Sequence, residues 1–367
     1  MIQPQAPPAL AHYFNAAQPA GALHGRATIK TAAMQYTQLG RSGLYVSRLA
    51  LGTWRLQRTP ADERSALVNA ALDDGINLID MAPGYGDGEA ETTIGTIIAE
   101  RGNREGVLLA TKCSGPKPRE PNGFLCTRRN IVASCERALR NLRTDYIDLL
   151  QVHCAEPQVP IDETLMALDD LVRAGKVRAV GASNFKGWQL VEAMWAAKEN
   201  RCCRFTSDQS EYHLLDRRLE AMNFPAMQSY GMKELVYSPL AQGILTGKYH
   251  QGGGNVDGLY AEMSREKKED LFERKLRGPI EQLIALADAR GHSAAQLALA
   301  FVLDQPAVAA PIIAPRTLAQ LEENLGSLAV SVDDELRAGF NAINPPGDRL
   351  HGNKLNLYNH GPTTRWI

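Results

Sequence analysis

Eight short apolar runs recur at a spacing of roughly 30 residues, the length of one strand–helix–strand unit, with helical patterns between them. They are Arg48–Gly52, Asn77–Asp80, Val107–Thr111, Tyr146–Val152, Val177–Gly181, Phe205–Gln209, Glu234–Ser238 and Ala310–Ala314. Between them, Ala61–Asp74, Arg128–Asn141, Asp162–Ala174 and Leu318–Leu325 carry helical periodicity. Gly75 and Gly175 follow two of these segments, where a helix end favours a residue tolerant of positive φ. Strands alternating with helices make a parallel sheet, because each crossover helix returns the chain to the same end. An open doubly wound sheet would carry a Gly-x-Gly-x-x-Gly after its first strand, and this chain has none. The expected fold is therefore α/β, a single-domain (β/α)8 TIM barrel with long loops at its C-terminal face.

The barrel is expected over residues 34–344. Residues 1–33 are rich in Ala and Pro, and no Asp or Glu occurs before Asp62. With only Arg26 and Lys30 as basic residues, and with Pro7, Pro8 and Pro19 interrupting any amphipathic helix, they read as a disordered or extra N-terminal arm rather than a targeting peptide. A long insertion, Gly243 to about Arg277, follows the seventh run and includes Gly252-Gly253-Gly254. The tail, 345–367, is rich in Pro, Gly and Asn, and two placements are open for it: over the active-site mouth or against another subunit.

A formal net charge of −1 gives no electrostatic reason to expect nucleic acid or an acidic membrane as partner. No apolar run approaches the roughly 20 residues that span a bilayer. The six cysteines form no CxxC pair and fit reduced thiols in a cytoplasmic protein, with no metal expected. The chain is expected to act as a monomer or a homo-oligomer.

In a barrel, polar residues at strand C-termini converge on one mouth. Asp80, Lys112 and His153 fall at such ends, and Tyr85 follows Asp80 by five residues. Reducing a carbonyl needs hydride on carbon and a proton on oxygen. Tyr85 is a candidate proton donor, Lys112 a cation to lower its pKa, Asp80 the partner that holds Lys112, and His153 a group to orient the substrate oxygen or relay the proton.

These residues sit in Gly75-Ile76-Asn77-Leu78-Ile79-Asp80 with Tyr85-Gly86, Leu109-Ala110-Thr111-Lys112, Asp145 through His153, and Gly181-Ala182-Ser183-Asn184-Phe185. In that order they resemble the aldo-keto reductases, from about Met34 to Leu325. The resemblance implies that Asp80, Tyr85, Lys112 and His153 form the catalytic tetrad of an NADPH-dependent oxidoreductase, with NADH possible. It implies that Ser183, Asn184 and Gln209 hold the nicotinamide carboxamide, and that Tyr212 stacks on the nicotinamide face. Ser238-Pro239-Leu240-Ala241-Gln242-Gly243 resembles the family's pyrophosphate loop, with Lys248 either a further positive charge or a solvated lysine. Arg316, Gln320, Glu323 and Asn324 match the adenosine-binding pattern, Arg316 suiting a 2′-phosphate, although Ala314-Pro315 replaces the usual Gly.

Gly52, Thr53 and Trp54, at the end of the first run, are also expected near the cofactor. Trp54 has two open readings, a pocket wall or a core side chain, and Arg55 either meets an anion or faces water. The implied substrate is a small carbonyl compound: an aryl or aliphatic aldehyde, a ketone or a keto-sugar. The SPLAQG and TGKY segments also resemble the potassium-channel β-subunits, so a redox-sensing regulatory subunit of slow turnover is the alternative.

Overall fold

Every residue of Ile147–Val152 is buried, as expected of a strand covered on both faces. This strand is the sixth of ten in the computed structural model, which describes residues 33–113, 126–156, 158–249 and 269–351. All of the expected N-terminal arm except its last residue lies outside the described residues. So do Gly252-Gly253-Gly254 and the tail beyond His351. The strands are β1 (Tyr36–Gln38), β2 (Tyr45–Ser47), β3 (Ala50–Gly52), β4 (Leu78–Asp80), β5 (Leu108–Cys113), β6 (Ile147–Val152), β7 (Val177–Ala182), β8 (Ser207–Glu211), β9 (Lys233–Tyr237) and β10 (Val308–Ile313). Each of the eight expected runs overlaps one of the strands β3 to β10.

Those eight strands pair in parallel in the order β7-β6-β5-β4-β3-β10-β9-β8. Backbone bonds close the seam between the two end strands: Thr206 N–H donates to Val180 O at 2.9 Å and Asn184 N–H to Gln209 O at 3.0 Å. At this seam a methyl group on Gly181 would lie 2.7 Å from Ser207 Oγ, so the strands approach this closely only because Gly181 has no side chain. The result is the (β/α)8 barrel that the alternation implied.

The interior is filled by alternate strand residues, small ones (Ala50, Ala110, Ala179, Ala310) beside Leu78, Leu149 and Leu235. The antiparallel hairpin β1–β2 was not anticipated. Its Leu39 and Val46 join the same inner cluster. Asn77 fixes it, accepting from Ser47 N–H at 2.8 Å and donating to Tyr45 O at 2.8 Å.

Around the barrel lie α1 (Ala61–Asp73), α2 (Glu89–Arg101), α3 (Arg128–Leu142), α4 (Ile161–Arg173), α5 (Gly187–Asn200), α6 (Asn223–Tyr230), α7 (Arg277–Ala289), α8 (Ala294–Asp304), α9 (Leu318–Leu325) and α10 (Asp334–Ile343). In α3, Ile131, Cys135, Ala138, Leu139 and Leu142 recur at helical spacing and are the buried residues. Among the described residues no helix is long and apolar enough to cross a membrane. The first residues of the tail pair with the loop after β8: Leu350 and His351 N–H both donate to Leu215 O at 2.9 Å, and Arg217 N–H to Asp348 O at 2.8 Å.

One buried pair has no counterpart in the sequence reading. Asp208 and Glu234 are register partners on β8 and β9, both fully buried. Ser210 serves both, through its N–H to Glu234 Oε1 at 2.6 Å and its hydroxyl to Asp208 Oδ2 at 2.7 Å. Burial pushes the Asp208 carboxyl up to about 7. Burial and then the Asp208 charge push Glu234 well above the carboxylate range. Since the folded values lie above the unfolded ones, the folded chain holds extra protons, and the stability they bring is lost as pH rises through about 7. Melting temperatures should therefore fall between about pH 4 and about pH 7, and Asp208→Asn should lessen that fall. An equal fall in the variant would show that the pair does not titrate in this window.

Candidate active site

Period-two alternation decides which residues reach the mouth. On β6, Leu149 points into the barrel, so Gln151 and then His153 share its face. On β8 the same rule turns Ser207, Gln209 and Glu211 inward, and on β9 it puts Tyr237 on the face of Leu235.

At the centre is an ion pair. Lys112 Nζ donates to Asp80 Oδ1 at 2.9 Å and Oδ2 at 2.8 Å, and to Met81 O at 2.9 Å. Both side chains are buried. Two amides complete the shell of the carboxylate: Gln209 Nε2 donates to Asp80 Oδ1 at 2.7 Å, and Gln151 Nε2 to the same oxygen at 3.2 Å. Gln209 Nε2 also donates to Gln151 Oε1 at 3.2 Å. Gln151 was not among the expected site residues, although a polar residue two before His153, on the same strand face, is the signal that marks it.

Tyr85 is partly buried in the turn after β4, with Lys112 Nζ 5.3 Å from its ring centre. The expectation that Lys112 lowers its pKa is not met. Burial pushes the phenol above its ordinary value and the Asp80 carboxylate adds to the rise. Lys112 is already balanced by Asp80, so the phenol keeps its proton. His153 follows β6 directly. Burial, and secondarily the Lys112 charge, lower its pKa to about 3, leaving a neutral imidazole.

A second chain of bonds leads away from Gln209. Ser183 Oγ donates to Gln209 O at 2.8 Å, Asn184 Nδ2 donates to Ser183 Oγ at 2.9 Å and to His153 O at 3.2 Å, and Tyr237 OH donates to Asn184 Oδ1 at 2.9 Å. Asn184 is held with φ at 61°.

Tyr212 requires a correction. It stands an odd number of residues after Gln209 and so turns away from the barrel interior. Its side chain is 0% exposed, its hydroxyl donates to Glu220 Oε1 at 2.6 Å, and its ring packs on Phe301 and Phe224. It cannot cover a ligand at the mouth. Tyr237, which the sequence reading missed, is the tyrosine that faces it.

The remaining expected residues divide by role. Thr53 is fully buried, and its N–H and hydroxyl both donate to Asp80 O, at 3.1 Å and 2.9 Å, so it braces β4. Gly52 permits close contact with β10, since a methyl there would lie 2.7 Å from Ile312 Cγ2. Trp54 is no core residue: it is 54% exposed, with the Arg55 guanidinium 5.1 Å from its ring centre.

After β9 the backbone enters the left-handed region at Ser238, Ala241, Gln242 and Gly243, with φ of 52°, 48°, 57° and 92°. Leu240, at φ −100°, followed by left-handed Ala241 is the right-then-left alternation from which anion nests are built, while the N–H groups of Ala241 and Gly243 close turns onto Ser238 O and Leu240 O. Pro239 is buried and Leu240 packs on the core. Gln242 Oε1 is buried with no hydrogen-bond partner among the described residues. Lys248 crosses beside Gly243, where a methyl group would lie 3.2 Å from its Nζ.

Arg316 immediately precedes Thr317, the N-cap of α9. Gln320 is a cap partner: its Oε1 accepts from Arg316 N–H at 2.8 Å and its N–H donates to Thr317 Oγ1 at 3.2 Å. Its side chain is thereby turned back onto the helix start, beside Arg316. Glu323 is exposed and Asn324 buried.

The chain matches the model of the aldo/keto reductase family over residues 48–344. It is 38% identical to the uncharacterized oxidoreductase YrpG of Bacillus subtilis, over 86% of this chain and 97% of that protein. It is 32% identical to the protein Tas of Escherichia coli, over 84% of this chain and 97% of that one. It is 31% identical to a probable voltage-gated potassium channel subunit beta of Arabidopsis thaliana, over 81% and 92%. With the barrel and its buried Asp80–Lys112 pair on the same residues, the chain belongs to the aldo/keto reductase family of nicotinamide-dependent oxidoreductases.

Proposed function

We propose that this protein reduces an aldehyde or ketone to an alcohol with NADPH as the preferred cofactor, Tyr85 giving the proton to the carbonyl oxygen. The observation that carries the reading is the buried Asp80–Lys112 pair beneath the Tyr85 ring. The phenol is held protonated by burial and faces a cation, so charge developing on a substrate oxygen would meet a proton donor backed by an ammonium. His153, neutral, acts as a hydrogen-bonding group that orients the oxygen rather than as a charged acid.

The residues fit a dinucleotide. Left-handed backbone at Ala241, Gln242 and Gly243 is costly for the two non-glycine residues, and such outliers concentrate where a ligand is gripped. The cradle at Gly243 would be filled by a methyl group, and Lys248 lies across it. Ser183, Asn184 and Gln209 would hold the carboxamide, Tyr237 would cover the ring, and Arg316 at the start of α9 would take a 2′-phosphate. When bound, the reduced nicotinamide supplies the hydride. The carbonyl compound is an aryl or aliphatic aldehyde, a ketone or a keto-sugar, and the cytoplasm is the compartment that fits reduced thiols.

A slow cofactor-binding subunit is the second reading, favoured by the likeness to the Arabidopsis protein. NADPH oxidation with a panel of aldehydes, ketones and keto-sugars separates the two. Turnover supports the reductase, and tight NADPH binding without oxidation by any carbonyl would sink it.

Tyr85→Phe should lower carbonyl reduction by about 10²-fold or more, the scale of a lost general acid, with NADPH affinity near that of the parent. Wild-type turnover in the variant would remove Tyr85 from the role. Arg316→Ala should weaken NADPH far more than NADH in binding titrations, and an equal effect on both would remove the 2′-phosphate role. Because His153 titrates only near 3, reduction should show no inflection near its ordinary value of about 6.5. An inflection there that disappears in His153→Gln would show that the imidazole is not held neutral.

A further inference from the structure

Gln209 has one amide nitrogen with two protons, and both are engaged inside the barrel: one on Asp80 Oδ1 at 2.7 Å, the other on Gln151 Oε1 at 3.2 Å. Only its oxygen is left for anything outside. The orientation of both amides is dictated by charge, because turning either around would set a carbonyl oxygen against the Asp80 carboxylate. Gln151 is fully buried, sits beside Lys112 in the β5–β6 register, and gives its own N–H to Asp80 at 3.2 Å. Its side chain thus serves two partners at once, as donor to Asp80 and as acceptor from Gln209.

We propose that Gln151 is a positioning residue that sets the polarity of the cofactor site: by occupying the second amide proton of Gln209, it leaves Gln209 able only to accept a hydrogen bond from a ligand. The inference rests on the reading of Ser183, Asn184 and Gln209 as the carboxamide site. A nicotinamide carboxamide has N–H groups to give to the Gln209 oxygen, whereas a 3-acetylpyridine ring has only a carbonyl oxygen. The site is therefore built to prefer the former. Without Gln151 the second Gln209 proton is released in a buried environment, where an unmet donor is costly, and a ligand acceptor becomes a welcome partner.

The test is a pair of binding titrations, NADP+ against its 3-acetylpyridine analogue, followed by quenching of protein fluorescence. Wild type should bind NADP+ about five- to tenfold more tightly, the worth of one hydrogen bond. Gln151→Met, of similar length but without a strong acceptor, should bring the two affinities within about twofold of each other. Gln151→Glu, as the protonated acid that the adjacent Asp80 carboxylate favours, gives its O–H to Asp80 and its carbonyl oxygen to Gln209, and should keep the preference. A simple packing role would not separate these two variants. The proposal fails if wild type shows no preference, a result that needs no variant to fold. It fails equally if Gln151→Met keeps the preference or Gln151→Glu loses it. If wild type binds neither NADP+ nor NAD+, the nicotinamide reading of the site falls, and this inference with it. Binding without the expected pattern overturns the role of Gln151 alone.

Discussion

The site depends on one buried ion pair. Asp80 and Lys112 lie on adjacent strands inside the barrel, where removing two charges from water costs several kcal/mol each. The pair persists there because its remaining hydrogen-bonding capacity is met. Gln151 and Gln209 serve the carboxylate, and Met81 O takes a further ammonium proton. Thr53 fixes the backbone of Asp80 from the neighbouring strand. Removing either charge would leave the other buried and unbalanced, a loss of about 3–5 kcal/mol. Such a pair gives modest stability at best, so its presence points to what it does for its neighbours.

What it does is electrostatic. Tyr85 and His153 are both pushed by burial toward their neutral forms, and the charges beside them push in the same directions: Asp80 raises the phenol, Lys112 lowers the imidazole. The resting site therefore holds an internally balanced ion pair flanked by two neutral hydrogen-bonding groups. Negative charge appearing on a ligand oxygen would be the one uncompensated charge in a low-dielectric setting, where a fixed cation and donors act most strongly.

Much of this was legible from the sequence because it follows from periodicity. Eight apolar runs at regular spacing specify a parallel sheet, and residues at the ends of neighbouring strands must converge, which brings Asp80, Lys112 and His153 together. The failures have physical causes too. The hairpin β1–β2 consists of two three-residue strands around a turn, too short for a periodic signal, and its Leu39 and Val46 are buried only because the barrel offers a cluster to join. Tyr212 was placed by resemblance against the alternation: Gln209 faces inward, so a residue three further on faces out. Tyr237 satisfies the same rule, sharing the face of Leu235, and Gln151 was visible by the same count from His153.

Alternation governs strands and stops at their ends, which explains where the site becomes hardest to read. Beyond β9 the chain turns through Ser238, Ala241, Gln242 and Gly243 in left-handed backbone, a conformation set by steric rules that give no pattern along the sequence. Only Gly243 carries that conformation without penalty; for Ala241 and Gln242 each residue costs about 1–2 kcal/mol. The loop keeps this arrangement because Pro239 and Leu240 anchor it to the core and because Ala241 and Gly243 N–H close turns onto Ser238 O and Leu240 O. The fold thus divides its labour. The strands hold the charged pair by packing, whereas the loop after β9 holds a strained backbone closed by its own turns. A change that relaxes the strain would alter this loop while leaving the Asp80–Lys112 centre intact.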